Sequence, residues 1–78
     1  MAQYELIEMK ARRFGYFPRT FIWRDQTIQI EAVLHVWTQQ RGRTINRHFF
    51  QVRGADGIER TLYQDLLDQT WHLQIDNR

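Results

Sequence analysis

No cysteine occurs in the 78 residues, which removes disulfides, thiolate metal sites and thiol catalysis together. Such a chain suits a reducing compartment, or one where redox state is irrelevant, and the cytoplasm is the expected location. No segment approaches the ~20 apolar residues of a membrane span. The start, MAQYELIEMKARR, carries Glu5 and Glu8 where a secretion signal needs a basic start and an apolar run, so no membrane association is expected. The length fits one domain over residues 1–78 with one small core, burying roughly 60–65% of the surface its unfolded form exposes. Clefts between domains are thereby excluded.

The usual signatures of chemistry are missing as well. There is no phosphate-cradling glycine loop and no serine elbow. His35, His48 and His72 fall on different strands, and a metal site would need them to converge with a carboxylate such as Glu31 or Asp65. Ordinary hydrogen-bonded or surface histidines explain them better. Asp65 and Asp68 share one turn, which in so small a domain supplies no water-excluding pocket for acid–base work. No catalytic residue, cofactor, metal or small-molecule substrate is expected.

Lysine is almost missing too, and arginine carries the positive charge. Arginine suits bidentate contact with phosphate or carboxylate, although a GC-rich genome is sufficient to explain the bias. The net charge of +2 is unevenly placed: residues 1–53 hold an excess of arginine over Glu5, Glu8, Asp25 and Glu31, whereas residues 54–78 set Arg60 and Arg78 against Asp56, Glu59, Asp65, Asp68 and Asp76. Such polarity orients a domain on a polyanion or on another protein.

What is present is strand pattern. Residues 5–10, ELIEMK, alternate with Ile7 and Met9 on one face and Leu6 on the other; helix is the competing assignment over 5–13, but Gly15 and Pro18 follow too soon for an isolated helix. RTFIWR, 19–24, is a second strand with Phe21 and Trp23 on one face, and Pro18 belongs at its first residue or an edge. Asp25-Gln26 is the expected tight turn into the third strand. Thr27–Trp37 alternates throughout, with Ile28, Ile30, Ala32, Leu34 and Val36 on one face. At ~3.3 Å per residue it outruns a small sheet, so it is expected to bend and pair with a different neighbour at each end. Residues 38–46, TQQRGRTIN, read as one long polar loop around Arg41-Gly42-Arg43.

Arg47 to Ile75 then reads as three antiparallel strands. Gly54-Ala55-Asp56-Gly57 fits a three-residue hairpin loop, with a type I turn on Ala55-Asp56 and Gly57 left-handed. Gly54 opposite Ile58 sets Phe50 against Leu62, Phe49 against Tyr63 and Arg53 against Glu59. After Tyr63-Gln64-Asp65 the chain turns through 66–69, where Asp65 is placed to accept backbone donors, and Trp71, Leu73 and Ile75 line one face of the last strand. The fold class is all-β: a single small antiparallel sheet of five to six strands with meander connections, rolled into an SH3-like or open barrel.

The pattern FIWRDQTIQI, HFFQV, a glycine turn, LYQDL and WHL resembles a small bacterial family known as a domain of unknown function. It also resembles the C-terminal region of catalytically inactive Y-family polymerase-like proteins of DNA-damage mutagenesis. The shared positions are Trp23, Arg24, Phe50, Val52, Leu62, Tyr63, Asp65, Leu66, Trp71 and Leu73, over about residues 5–76. The chain departs from the pattern at Asp25-Gln26, where glycine is usual, and at Leu67. The resemblance implies a fold and a loose DNA-repair association, and supplies no catalytic residue.

What remains is a binding surface. Aromatic residues exceed what a small core needs, so some of Phe14, Tyr16, Phe17, Trp23, Trp37, Phe49 and Tyr63 are expected outside, unless a rolled sheet lets aromatics on both faces bury one another. The candidate surface comprises Arg12, Arg13, Tyr16, Phe17, Arg19, Trp23, Arg24, Trp37, Arg41, Arg43 and Arg47. Aromatics and arginines together anchor protein interfaces, and the favoured reading is a non-enzymatic protein-interaction or self-assembly module. The alternative is a nucleic-acid-binding module, in which bases stack on rings while guanidinium groups follow the backbone of single-stranded DNA or RNA.

Overall fold

The β-branched and aromatic segments all become strands in the computed structural model, which describes residues 3–75. They are β1 (Gln3–Arg13), β2 (Phe17–Trp23), β3 (Gln26–Arg41), β4 (Thr44–Gly54), β5 (Glu59–Asp65) and β6 (Thr70–Ile75). Each pairs antiparallel with the next, and β6 returns to β1, closing an SH3-like barrel with meander connections. Residues 5–13 are therefore strand. The core is Ile7, Phe21, Ile28, Phe50, Val52, Leu62, Trp71 and Leu73, drawn from every strand.

The barrel closes because two of its strands, β1 and β3, change neighbours part-way along their length. β1 pairs with β6 over Gln3–Ile7 and with β2 from Glu8 onward. β3 pairs with β2 over Gln26–Gln29 and with β4 from Ile30 onward, the bend that its length demanded. The bend corrects one expectation, because alternation does not run through β3. Extra residues at Glu31 and Leu34 interrupt its ladder with β4, and each flips the facing of the residues after it. Ile28, Ile30 and Val33 therefore face the core, and Val33 stands opposite Val52 where simple alternation would have placed Ala32 and Leu34 inside.

Two connections also differ from the expectation: the β2–β3 turn lies one residue earlier than Asp25-Gln26, and the β3–β4 connection is shorter. The β2–β3 turn is Arg24-Asp25, both left-handed at φ 50° and 63°, closed by Trp23 opposite Gln26. Two positive φ values make the I′ geometry that matches strand twist. Arg24 holds that conformation as a non-glycine residue, with its guanidinium bonded to Glu5. Residues 38–46 are not a loop: β3 and β4 continue as a two-stranded arm, Arg41 pairs with Thr44, and only Gly42-Arg43 turn, with Gly42 at φ 66°. With solvent on both faces of the arm, no apolar alternation marks it as strand.

The block from β4 to β6 matches its reading closely. Gly54 N–H donates to Ile58 O and Gly57 N–H to Gly54 O, both at 2.9 Å, with Gly57 at φ 82°. Phe50 faces Leu62, Phe49 faces Tyr63 and Arg53 faces Glu59. Asp65 Oδ1 accepts from the N–H groups of Leu67 and Asp68. The ion pair is different: Arg53 reaches sideways to Glu31 at 3.1 Å rather than across to Glu59, because the β3 bulge turns Glu31 outward beside it.

Trp71 fills the barrel against Phe50, with ring centroids 5.5 Å apart, so Trp71→Ala should cost ~3–5 kcal/mol in denaturant unfolding. Arg41→Ala, at the exposed arm, should leave the midpoint unchanged. The reverse pattern would mean that scaffold and surface had been exchanged.

Candidate functional site

Charge is sorted by end. At the end holding the β2–β3 and β4–β5 turns, arginines are paired. Glu5 accepts from Trp23 Nε1 (3.0 Å) and, in a fork, from Arg24 Nε (3.1 Å) and Nη2 (2.9 Å). Arg24 holds the Glu5 carboxyl below its ordinary range, and Glu5 in turn raises the basicity of Arg24. Arg24 also stacks 4.8 Å over Trp23. Arg60 forks onto Asp56 at 2.9 and 3.2 Å, and together with the Ile58 N–H it lowers the Asp56 pKa to about 2. Gly54 sits under this pair, and a Cβ there would come within 2.6 Å of Asp56 Oδ1.

At the other end, where β1 ends, β2 begins and the arm leaves the barrel, arginines stand free. Arg12, Arg13, Arg19, Arg41 and Arg43 form no ion pair with a described residue. Of the candidate surface, Trp23 and Arg24 thus lie at the opposite end from the rest. Tyr16 and Phe17 are half-buried and pack on Phe50 and His48, closing the core from above.

A groove of about 400 Å³ opens at this end, between Arg13, Phe14, Phe17, Pro18 and Arg19 on one side and Ile30 to Val36 on the other. Consecutive residues point to alternate faces, so a wall of seven in a row is a strand seen along its edge. The groove marks where β2 and β3 part: their ladder ends at Thr20 opposite Gln29, and Pro18 lies beyond it, where no donor is needed. From Ile30 onward β3 has a strand only on its β4 side. Phe14, left-handed at φ 57° in the β1–β2 turn, stands 87% exposed at the mouth. A non-glycine residue in that conformation costs ~1–2 kcal/mol. β1 has a similar open stretch after Ile7, but ladder irregularities, Lys10 and Arg12 blunt it. Between Glu31 and Arg41 the β3 edge carries no lysine or arginine, and bulges at Glu31 and Leu34 divide it into short stretches.

The outer face of the sheet holds a second aromatic cluster. Trp37 stacks on Phe49 (5.3 Å), Phe49 meets Tyr63, and Tyr63 stacks on His72 (4.5 Å), one row across four strands. Tyr4 packs edge-on to Tyr63, and Arg47 lies 4.6 Å over the same ring. Phe49 and Tyr63 are thereby buried although they face outward, while Trp37 stays 43% exposed. Burial lowers the His72 pKa; Asp65 and Asp68 oppose the shift and Arg47 reinforces it.

Among the described residues, no group of three or more His, Cys, Asp or Glu side chains could hold a metal. Among the same residues no helix is long and apolar enough to cross a membrane. Phe14, one of the aromatics expected outside the core, is exposed, whereas Leu34 and Val36, which simple alternation put on the inner face of β3, were missed as surface candidates.

Fold and groove together define a small antiparallel β-barrel with an open seam between β2 and β3. The chain belongs to the DUF6504 family, a domain of unknown function, which matches residues 3–77. No curated protein and no solved structure matches it.

These shifts set two pH windows. Asp56 contributes stability above the ordinary carboxyl value of 3.8 that is lost as pH falls toward about 2, so Asp56→Asn should flatten acid unfolding there. His72, held below its ordinary 6.5, contributes stability above that value that is lost as pH falls through its folded pKa. Thermal midpoints of His72→Gln should therefore depend less on pH below 6.5 than those of the parent.

Proposed function

We propose that this chain is a non-enzymatic, cytoplasmic interaction module that takes an extended segment of another protein along the open edge of β3. The observation that carries the reading is the parting of β2 and β3 at Thr20 and Gln29, which leaves β3 with a neighbour on one side only. A strand edge offers backbone donors and acceptors, and on either side of the bulges at Glu31 and Leu34 an extended peptide gains main-chain bonds and side-chain pockets there. Self-assembly is the same reading with a second copy as the guest.

A second reading has its own observation. Arg12, Arg13, Arg19, Arg41 and Arg43, free of ion pairs with described residues and gathered at one end with exposed Phe14, supply charge and a ring for single-stranded nucleic acid. The resemblance to the C-terminal regions of polymerase-like mutagenesis proteins would place that activity in bacterial DNA repair.

Amide shifts separate the two. In a titration with short β-prone peptides, strand addition should perturb the amides of Ile30–Val36 and slow their hydrogen exchange. Perturbation confined to Arg41–Arg43, with salt-sensitive oligonucleotide binding, would favour the second reading instead.

A further inference from the structure

We infer that the guest of the seam is an acidic extended segment, its carboxylates held by Arg13 and Arg19. This rests on strand addition to β3 and adds the chemistry of the partner.

The charges of the groove decide the sign. Four ionisable side chains line it: Arg13, Arg19, Glu31 and His35. Glu31 is already satisfied by Arg53 at 3.1 Å, whereas Arg13 and Arg19 form no ion pair with a described residue. The cationic pair stands on the wall opposite the β3 edge, so a guest laid on that edge brings its side chains toward guanidinium groups. Arginine meets carboxylates in a planar fork, the contact Arg24 and Arg60 already make within this barrel. The apolar part of the lining, Phe14, Phe17, Leu34 and Val36, asks for apolar residues between the acidic ones. Seven residues of β3 correspond to ~23 Å of guest at ~3.3 Å per residue. Pro18 gives the β2 wall no donor, so the guest's main chain bonds to β3 alone.

The test is fluorescence polarisation with two labelled seven-residue peptides, one alternating Glu and Val, the other Lys and Val. Parent protein is compared with R13E/R19E and with R41E/R43E, whose changes lie at the arm tip; circular dichroism establishes that both variants fold. The Glu peptide should bind the parent roughly tenfold or more tighter than the Lys peptide. R13E/R19E should reverse that preference and R41E/R43E should leave it unchanged.

Equal binding of both peptides, indifferent to R13E/R19E, would overturn the acidic guest and leave strand addition standing. Binding of neither would overturn both. Equal loss in R41E/R43E would replace the clamp by the general field of that end. Sedimentation of the parent as a dimer that R13E/R19E leaves intact, with no peptide bound, would give the seam to a second copy. An oligodeoxythymidine that binds where the peptides do not would give it to nucleic acid; either result overturns the proposal.

Discussion

β3 changes neighbours at Ile30, and the rest of the barrel depends on that switch. Six strands of this size cannot wrap a core of full side chains unless some strand bends sharply enough to belong to both layers. The extra residues at Glu31 and Leu34 supply the bend and carry β3 from β2 to β4. The same step creates the seam, because the departing strand leaves its β2-side backbone groups without a sheet partner. Closure of the barrel and the open edge of β3 are thus two consequences of the same change of neighbour.

Charge follows this geometry. Where strands converge on tight turns, cations and anions are close enough to pair, and Glu5 with Arg24, Asp56 with Arg60 and Glu31 with Arg53 use up most of the charge near that end. Exposed pairs of this kind contribute little stability individually. The Arg24 fork has a more particular role: it accompanies a left-handed arginine in the turn and ties β1 to the β2–β3 hairpin. What pairing among the described residues leaves over is Arg13 and Arg19 at the seam, Arg12 beside the β1 edge, and Arg41 and Arg43 on the arm. Asp76 and Arg78, which enter the sequence-level charge balance, lie outside the described residues.

The parts legible from sequence share one property: a local turn set the register. Gly54 to Gly57 allow one hairpin geometry, and from it Phe50 opposite Leu62 and Phe49 opposite Tyr63 follow by counting. Asp65 accepting from its own turn is similarly local. The illegible parts depended on distant partners. Nothing near Arg24 announces that its guanidinium meets Glu5, nineteen positions earlier. The arm reads as loop because both its faces are solvated, and alternation records burial rather than backbone. The surplus aromatics turned out to bury one another across the outer face, with Phe49 and Tyr63 covered by Trp37, Tyr4 and Arg47.

The sequence by itself determined the all-β class, the β4–β6 block with its register, and the need for β3 to bend. Each follows from period-two patterning, turn chemistry and strand length, all short-range properties of the chain. Only the tertiary structure decided where β3 leaves β2, which arginines remain unpaired and that Phe14 stands at the mouth of the seam. Those outcomes depend on which strands meet after closure, and a bulge that shifts every later side chain to the opposite face has no signature in a pattern read one strand at a time.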